Sequence, residues 1–270
     1  MRHYLPTLAF TFIAIAACDP ARQPVTLTFQ PLVGSRPFAC GQSYPGVGTA
    51  STQVQPSDFR LYVHNVRLID SAGAEHPLDL DQDQLWQHQD VALLDFEDKT
   101  APCDGTTATN FTVRGQAEVG SGSYTGLRFV VGIPPALNHG NQATAPSPLN
   151  LSGMFWSWEA GYKFLRTEGK SDAGAAAFLM HLGSTGCANT PSGETKCANL
   201  NTPEVTLAGF DPQKNRIAVD LAELLAGSDL NAGMSCHSEA KPERCGPAFA
   251  HLGLPLAEAP AGPQTFFRVE

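Results

Sequence analysis

Charge is scarce in this chain. Asp, Glu, Lys and Arg make up 16% of its 270 residues, against about 25% in an average soluble domain. Cations are the scarcer sign, 17 against 26 acidic residues for a net charge of −9, which argues against a basic nucleic-acid module. A charge content this low also excludes a coiled coil, and 42% hydrophobic residues exclude a disordered tail. Low-complexity linkers and fixed-period repeats are missing, so residues 18–270 read as one domain. Missing too are GxSxG, HExxH, GxxxxGK[ST] and a GxGxxG after a strand, and with them the common signatures of hydrolases, zinc proteases and nucleotide binders. There is no CxxC pair, which weighs against a thiolate zinc site.

Turn formers are plentiful, with 25 Gly and 21 Pro. Between them lie short segments that alternate apolar and polar residues with period two: 25–29, 59–69, 91–96, 110–116, 124–133, 155–165, 177–182, 204–207 and 216–219. Strands of that length and spacing predict an all-β fold, a single-domain β-sandwich or barrel-like structure with long loops. One helix is expected at Leu221–Leu225, capped by Asp220, with further helical turns around Met234 and Phe249.

The first 17 residues read as a signal peptide of the lipoprotein type. Residues 5–17 are nearly all apolar yet too short to span a bilayer, and they end in Ile15-Ala-Ala-Cys18. Small residues before a cysteine suit the lipobox, making Cys18 the lipidated first residue of the mature chain. An ordinary signal peptide cut near Ala17 is the alternative. Either way the chain is exported to a periplasmic or cell-envelope location, where cysteines oxidise. Cys40, Cys103, Cys187, Cys197, Cys236 and Cys245 then form an even set. Spacing favours Cys187 with Cys197 and Cys236 with Cys245 as short staples, leaving Cys40 and Cys103 as a long clasp.

Two clusters invite chemistry. Asp79, Asp81 and Asp83 recur at every second residue like part of a calcium loop, but the Gly and the downstream Glu of an EF-hand are missing, so a solvated strand edge is the better reading. The block 132–187 is richer. It holds Asn138-His139, a Pro- and Asn-rich loop, Trp156-Ser157-Trp158, and His181 ahead of Cys187. If 155–165 is one strand, Trp156, Trp158, Ala160, Tyr162 and Phe164 share a face, and a hairpin return through 177–182 can bring His181 to it. Such aromatic stripes are also ordinary core packing, with His139 and His181 satisfied by the backbone.

Several segments in order resemble the MbnP family: Val91-Ala-Leu-Leu-Asp-Phe-Glu97, Tyr124-Thr-Gly-Leu-Arg-Phe129, Leu137-Asn-His139, Pro148-Leu-Asn-Leu151, Met154-Phe-Trp-Ser-Trp158, Gly161-Tyr-Lys-Phe-Leu-Arg166 and His181-Leu-Gly-Ser-Thr-Gly-Cys187. The similarity runs over nearly the whole mature chain. MbnP proteins are exported copper-binding proteins, the four-Cys metallo-mystery pair family, encoded beside a diheme cytochrome peroxidase-like partner, MbnH. The resemblance implies that the partner oxidises one tryptophan of the WxW motif, Trp156 or Trp158, to kynurenine. The opened ring then helps histidine bind one copper ion. Indole offers a metal no lone pair, whereas ring opening yields an aryl amine and a ketone that can ligate. His139 and His181, inside the family-like segments, are the imidazoles it points to. His64 and His88 are rivals, the latter with Trp86 because residues two apart on a strand share a face. His76, His237 and His251 read as surface or loop histidines.

The expected role is copper storage, scavenging or delivery, by a chain that is a substrate of another enzyme rather than an enzyme. Two other classes stay open: a disulfide-stapled carbohydrate-binding or adhesion module using Trp156 and Trp158 as a stacking platform, and a lipid-anchored hydrolase of unrecognised site.

Overall fold

A computed structural model describes residues 21–270, except 104, 106–107, 119–122, 158, 173–176 and 240, and the side chain of Pro242. Residues 1–17, expected as a signal peptide, and Cys18 lie outside the described residues, as does Trp158.

The organising element is Thr52–Asp70, a strand of 19 residues. Its ends alternate between buried and less buried positions, but residues 58–64 are buried without a break, as happens when both faces of a strand are covered. Odd positions Phe59, Leu61 and Val63 enter the apolar core. Even positions Asp58, Arg60, Tyr62 and His64 face the other way and are buried as well. The loop before Trp156 supplies their cover: the Tyr62 hydroxyl donates to the Pro148 carbonyl at 2.9 Å, and the Tyr162 hydroxyl to that of Leu149 at 2.6 Å.

The long strand sits inside a ten-stranded sheet whose main path runs Glu204–Ala208, Tyr124–Val131, Thr52–Asp70, Leu165–Ser171, Ala177–Leu182 and Met234–Cys236. A six-stranded sheet runs Phe267–Val269, Ile217–Asp220, Arg22–Val33, Thr112–Glu118 and Asp79–Leu80, with Arg36–Pro37 beside its longest strand. Aromatic rings from both sheets interlock: Phe29 meets Phe129 edge-on at 5.8 Å, and Phe129 meets Phe267 at 5.1 Å. The inner faces thus share one core, and neither sheet closes into a barrel. The expectation of a disulfide-stapled, all-β architecture with few short helices holds. The three disulfides join Cys40 to Cys103, Cys187 to Cys197 and Cys236 to Cys245, the pairs that spacing favoured.

Some local expectations fail. Residues 155–165 are not one strand: Phe155–Ser157 turns back and pairs antiparallel with Gly161–Tyr162, and a separate strand starts at Leu165. The break is built in at Gly161, whose φ of +78° only glycine adopts readily and whose missing Cβ leaves room for the Asn138 amide. The shared face expected for Trp156, Ala160, Tyr162 and Phe164 therefore does not form. Residues 167–170, outside the segments marked by alternation, are strand paired with 177–180. Around Met234 the chain is a strand, because it finds a parallel partner in 178–180. A helix does form at Pro242–His251. Two of the three aspartates are already engaged: Asp79 pairs with Arg22, and Asp83 Oδ1 accepts from the backbone amides of Leu85, Trp86 and Gln87.

Candidate metal centre

Period-two alternation assembles a polar row on the outer face of the sheet. Arg166 stands opposite Arg60 on one side and His181 on the other, so the three side chains share a face. Glu168, two residues from Arg166, joins them. Its Oε1 lies 2.7 Å from both Arg166 Nε and His181 Nε2. The row continues inward through Asp58, 3.2 Å from Arg166 Nε, to Arg60 and Glu97. The hydrogen bond from His181, followed by the Arg166 contact, holds the Glu168 carboxyl down at about 2 despite partial burial. Burial pushes His181 below the ordinary imidazole range, with the Glu168 hydrogen bond opposing it.

This geometry sets the tautomer of His181. An ionised carboxylate only accepts hydrogen bonds, so Nε2 carries the proton. A neutral ring then leaves the lone pair on Nδ1, which is buried and has no hydrogen-bond partner among the described residues. A buried nitrogen lone pair without a donor is costly unless something ligates it. A carboxylate behind an imidazole is the arrangement that orients histidine toward a metal.

Two rings flank His181. The Trp156 centroid is 6.2 Å from it, tilted by 51°, and that of His237 is 5.1 Å away, nearly perpendicular. Trp156 reaches this position because residue 183 is glycine. A Cβ there would stand 2.5 Å from Trp156 Cζ3 and 2.7 Å from the Tyr162 carbonyl. His237 is delivered by the parallel pairing of Met234–Cys236, by the Cys236–Cys245 disulfide and by Ser238. The Ser238 hydroxyl donates to the His181 carbonyl and accepts from the Gly183 amide, each at 2.9 Å. Trp156, Glu159, Cys187 and His237 line an open depression of about 420 Å³.

The other candidates lie elsewhere. His139 occupies a separate depression of about 300 Å³, together with His64 and Cys197, and Ser184 borders both. Its Nε2 is 3.4 Å from Cys197 Sγ. His64 donates through Nδ1 to the Gly132 carbonyl, 3.0 Å away, and burial keeps its pKa low. Trp86 packs against the core, and His88 lies in the short strand Gln87–His88, beside Gln89. His76 pairs with Asp70, and His251 with Thr265. Sequence reasoning missed His237 and Glu168. The position of His237 directly after a disulfide cysteine was the one available signal.

The sequence profile of the MbnP family matches residues 22–238, most of the chain. The chain belongs to the MbnP family. Among solved structures, it is similar to MbnP from Methylosinus trichosporium, with 33% identity, a TM-score of 0.81, and coverage of 92% of this chain and 98% of that one. No curated protein matches. The matched residues include the Trp156 hairpin, the His181 strand and His237.

Proposed function

We propose that this MbnP-family protein binds copper as cargo through His181, His237 and an oxidised Trp156. Family membership supports a copper-related role. The single observation that carries the ligand assignment is the buried, unpartnered Nδ1 of His181, held by Glu168 and flanked by an indole and a second imidazole. Two imidazoles alone make a sparse site. An aryl amine or ketone from the opened Trp156 ring adds a third donor. Ring cleavage needs an oxidant, which the reading assigns to a diheme cytochrome peroxidase-like partner. Two equivalents of a peroxide-level oxidant cleave the C2–C3 bond of the indole and leave one oxygen on each carbon, a four-electron oxidation that releases two waters, and hydrolysis of the resulting N-formyl group then releases C2 as formate. The net replacement of one carbon by oxygen raises the residue mass by about 4 Da.

The chain's own residues prepare this chemistry. Glu168 and Arg166 orient His181, Gly183 seats the indole, and the half-open depression admits both the partner and copper. The protein is thus a substrate of another enzyme and acts in copper storage, scavenging or delivery. The leader sequence supports a cell-envelope location with a lipid anchor at Cys18. A sugar-stacking platform has less support, because Trp156 is half-buried against Gly183 and turned toward His181.

Coexpression with the diheme partner, followed by peptide mass spectrometry and copper titration, tests the proposal. The Trp156 peptide is expected to gain about 4 Da, and His181→Ala or His237→Ala is expected to abolish tight binding of one copper ion. An unchanged Trp156 mass in protein that still binds copper through these histidines would refute the role of the opened ring.

A further inference from the structure

The hairpin Thr185–Asn189 and Thr195–Asn199 forms a two-stranded sheet of its own, with Cys187 directly opposite Cys197. None of its residues belongs to the core cluster. Both its sulfur-bearing residues are half-buried, whereas Cys103, Cys236 and Cys245 are buried and Cys40 packs against the core. Thiol–disulfide exchange requires a thiolate to reach the sulfur, so access selects this bond for reduction. Opening it exposes no apolar core. The strands also stay paired at Thr185 with Asn199, Ala188 with Lys196 and Asn189 with Thr195. Two side-chain bonds brace the base of the hairpin, from Ser184 Oγ to the Leu200 carbonyl at 3.0 Å and from Asn201 Nδ2 to the Gly183 carbonyl at 2.8 Å.

His139 is set beside these sulfurs from a different part of the chain. Its predecessor Asn138 is anchored by the Tyr162 amide, which donates to Asn138 Oδ1 at 2.9 Å. One ring nitrogen of His139 and the sulfurs of Cys187 and Cys197 all lie within 4.8 Å of one another. As a disulfide the sulfurs are poor ligands. As thiolates they are soft donors, and two of them with one imidazole match the low coordination number and softness of Cu(I).

We propose that reduction of Cys187–Cys197 converts this face into a redox-gated Cu(I) site formed by Cys187, Cys197 and His139. The reductant is an external dithiol. Its thiolate attacks one protein sulfur to give a mixed disulfide, its second thiol resolves that bond, and the products are two protein thiols and one oxidised dithiol. Two electrons pass from the dithiol to the protein disulfide. Cu(I) then binds without changing oxidation state and displaces the two thiol protons. The site shares no ligand with the Trp156 centre and needs no oxidised tryptophan, yet Cys187 borders one depression and Cys197 the other. It is therefore placed to receive or surrender copper beside that centre.

The test uses the full chain produced without the diheme partner. Brief dithiothreitol treatment is followed by anaerobic desalting, alkylation mapping of an aliquot and Cu(I) titration against bicinchoninate. Thiols are expected at Cys187 and Cys197 first, with one Cu(I) retained beyond what the disulfide form holds. That extra ion should be lost in the Cys187→Ser, Cys197→Ser double variant, and in wild type whose opened thiols have been capped, a control that does not depend on the variant folding. His139→Ala should weaken the extra site by about tenfold or more. Earlier opening of either other disulfide, an opened chain that holds no additional Cu(I), or a His139→Ala chain that binds it as tightly as wild type would overturn the proposal.

Discussion

Gly183→Ala is the sharpest probe of how the fold seats the centre. Residue 183 does not have a positive φ, so alanine suits its backbone and the penalty is purely steric. The new methyl would meet Trp156 Cζ3 at 2.5 Å, Trp156 Cη2 at 3.1 Å and the Tyr162 carbonyl at 2.7 Å. Ordinary carbon contacts begin near 3.4 Å, so the indole must retreat by roughly 1 Å and carry the Phe155–Ser157 strand with it. Overpacking on this scale costs about 1–3 kcal/mol. Alanine recovers about 0.4–1 kcal/mol by restricting the unfolded chain. The net loss, up to about 2.6 kcal/mol relative to wild type, lowers the melting temperature by up to roughly 10 °C in a domain of this size, and relative to a glycine-to-alanine control the loss is the full steric cost of about 1–3 kcal/mol. Gly262→Ala is the matched control, since its Cβ meets nothing within 4 Å, and it should be neutral or slightly stabilising. Thermal unfolding followed by circular dichroism reads the stability, and tryptophan emission reads the displaced ring. A Gly183→Ala protein as stable as the control, with unchanged emission, would refute the packing argument.

Three further outcomes follow from the polar row and the disulfides. Glu168→Gln removes the ionised acceptor that dictates the His181 tautomer and should weaken copper binding by about 10–100-fold while the fold persists; unchanged affinity in a competition titration would remove Glu168 from its positioning role. Asp95 is fully buried, and burial, partly offset by Arg60, pushes its carboxyl up to about 7. The folded state thus holds a proton that the unfolded chain releases near pH 4, so this group's contribution is complete below that pH and is lost as pH rises through about 7. Asp95→Asn should therefore gain on wild type between pH 4 and 8 by up to about 4 kcal/mol, and parallel urea-denaturation curves across that range would sink the assignment. Loop entropy ranks the disulfides: the Cys40–Cys103 bond, 63 residues apart, should contribute about 4 kcal/mol and the Cys187–Cys197 bond, 10 apart, about 3 kcal/mol. Equal or reversed losses in the Cys→Ser pairs would contradict that order.

Much of the fold was legible because its signals are local. Period-two alternation marked segments 59–69, 124–133 and 177–182, which fall on the strands Thr52–Asp70, Tyr124–Val131 and Ala177–Leu182, though the first begins seven residues earlier than its alternation. Cysteine spacing favoured the pairs that form because short loops close easily. Errors fell where a nonlocal partner overrode the local pattern. The segment 155–165 alternates well enough for a strand, yet Gly161 and its close approach to Asn138 fold it into a hairpin. The segment at Met234 becomes a strand only because the 178–180 edge is there to receive it.

The sequence alone determined the class of the protein: strands, turns, cysteine pairs and an ordered set of MbnP-like motifs containing Trp156 and His181, all of which are properties of residues near one another along the chain. Only the tertiary structure decided which imidazole stands beside His181. His237 reaches it through a parallel strand pairing and a disulfide to a helix, while His139 is carried to the other side of Ser184 against Cys197. Spacing cannot encode that choice, because a metal site is selected by distances in space and those are set by strand order and register.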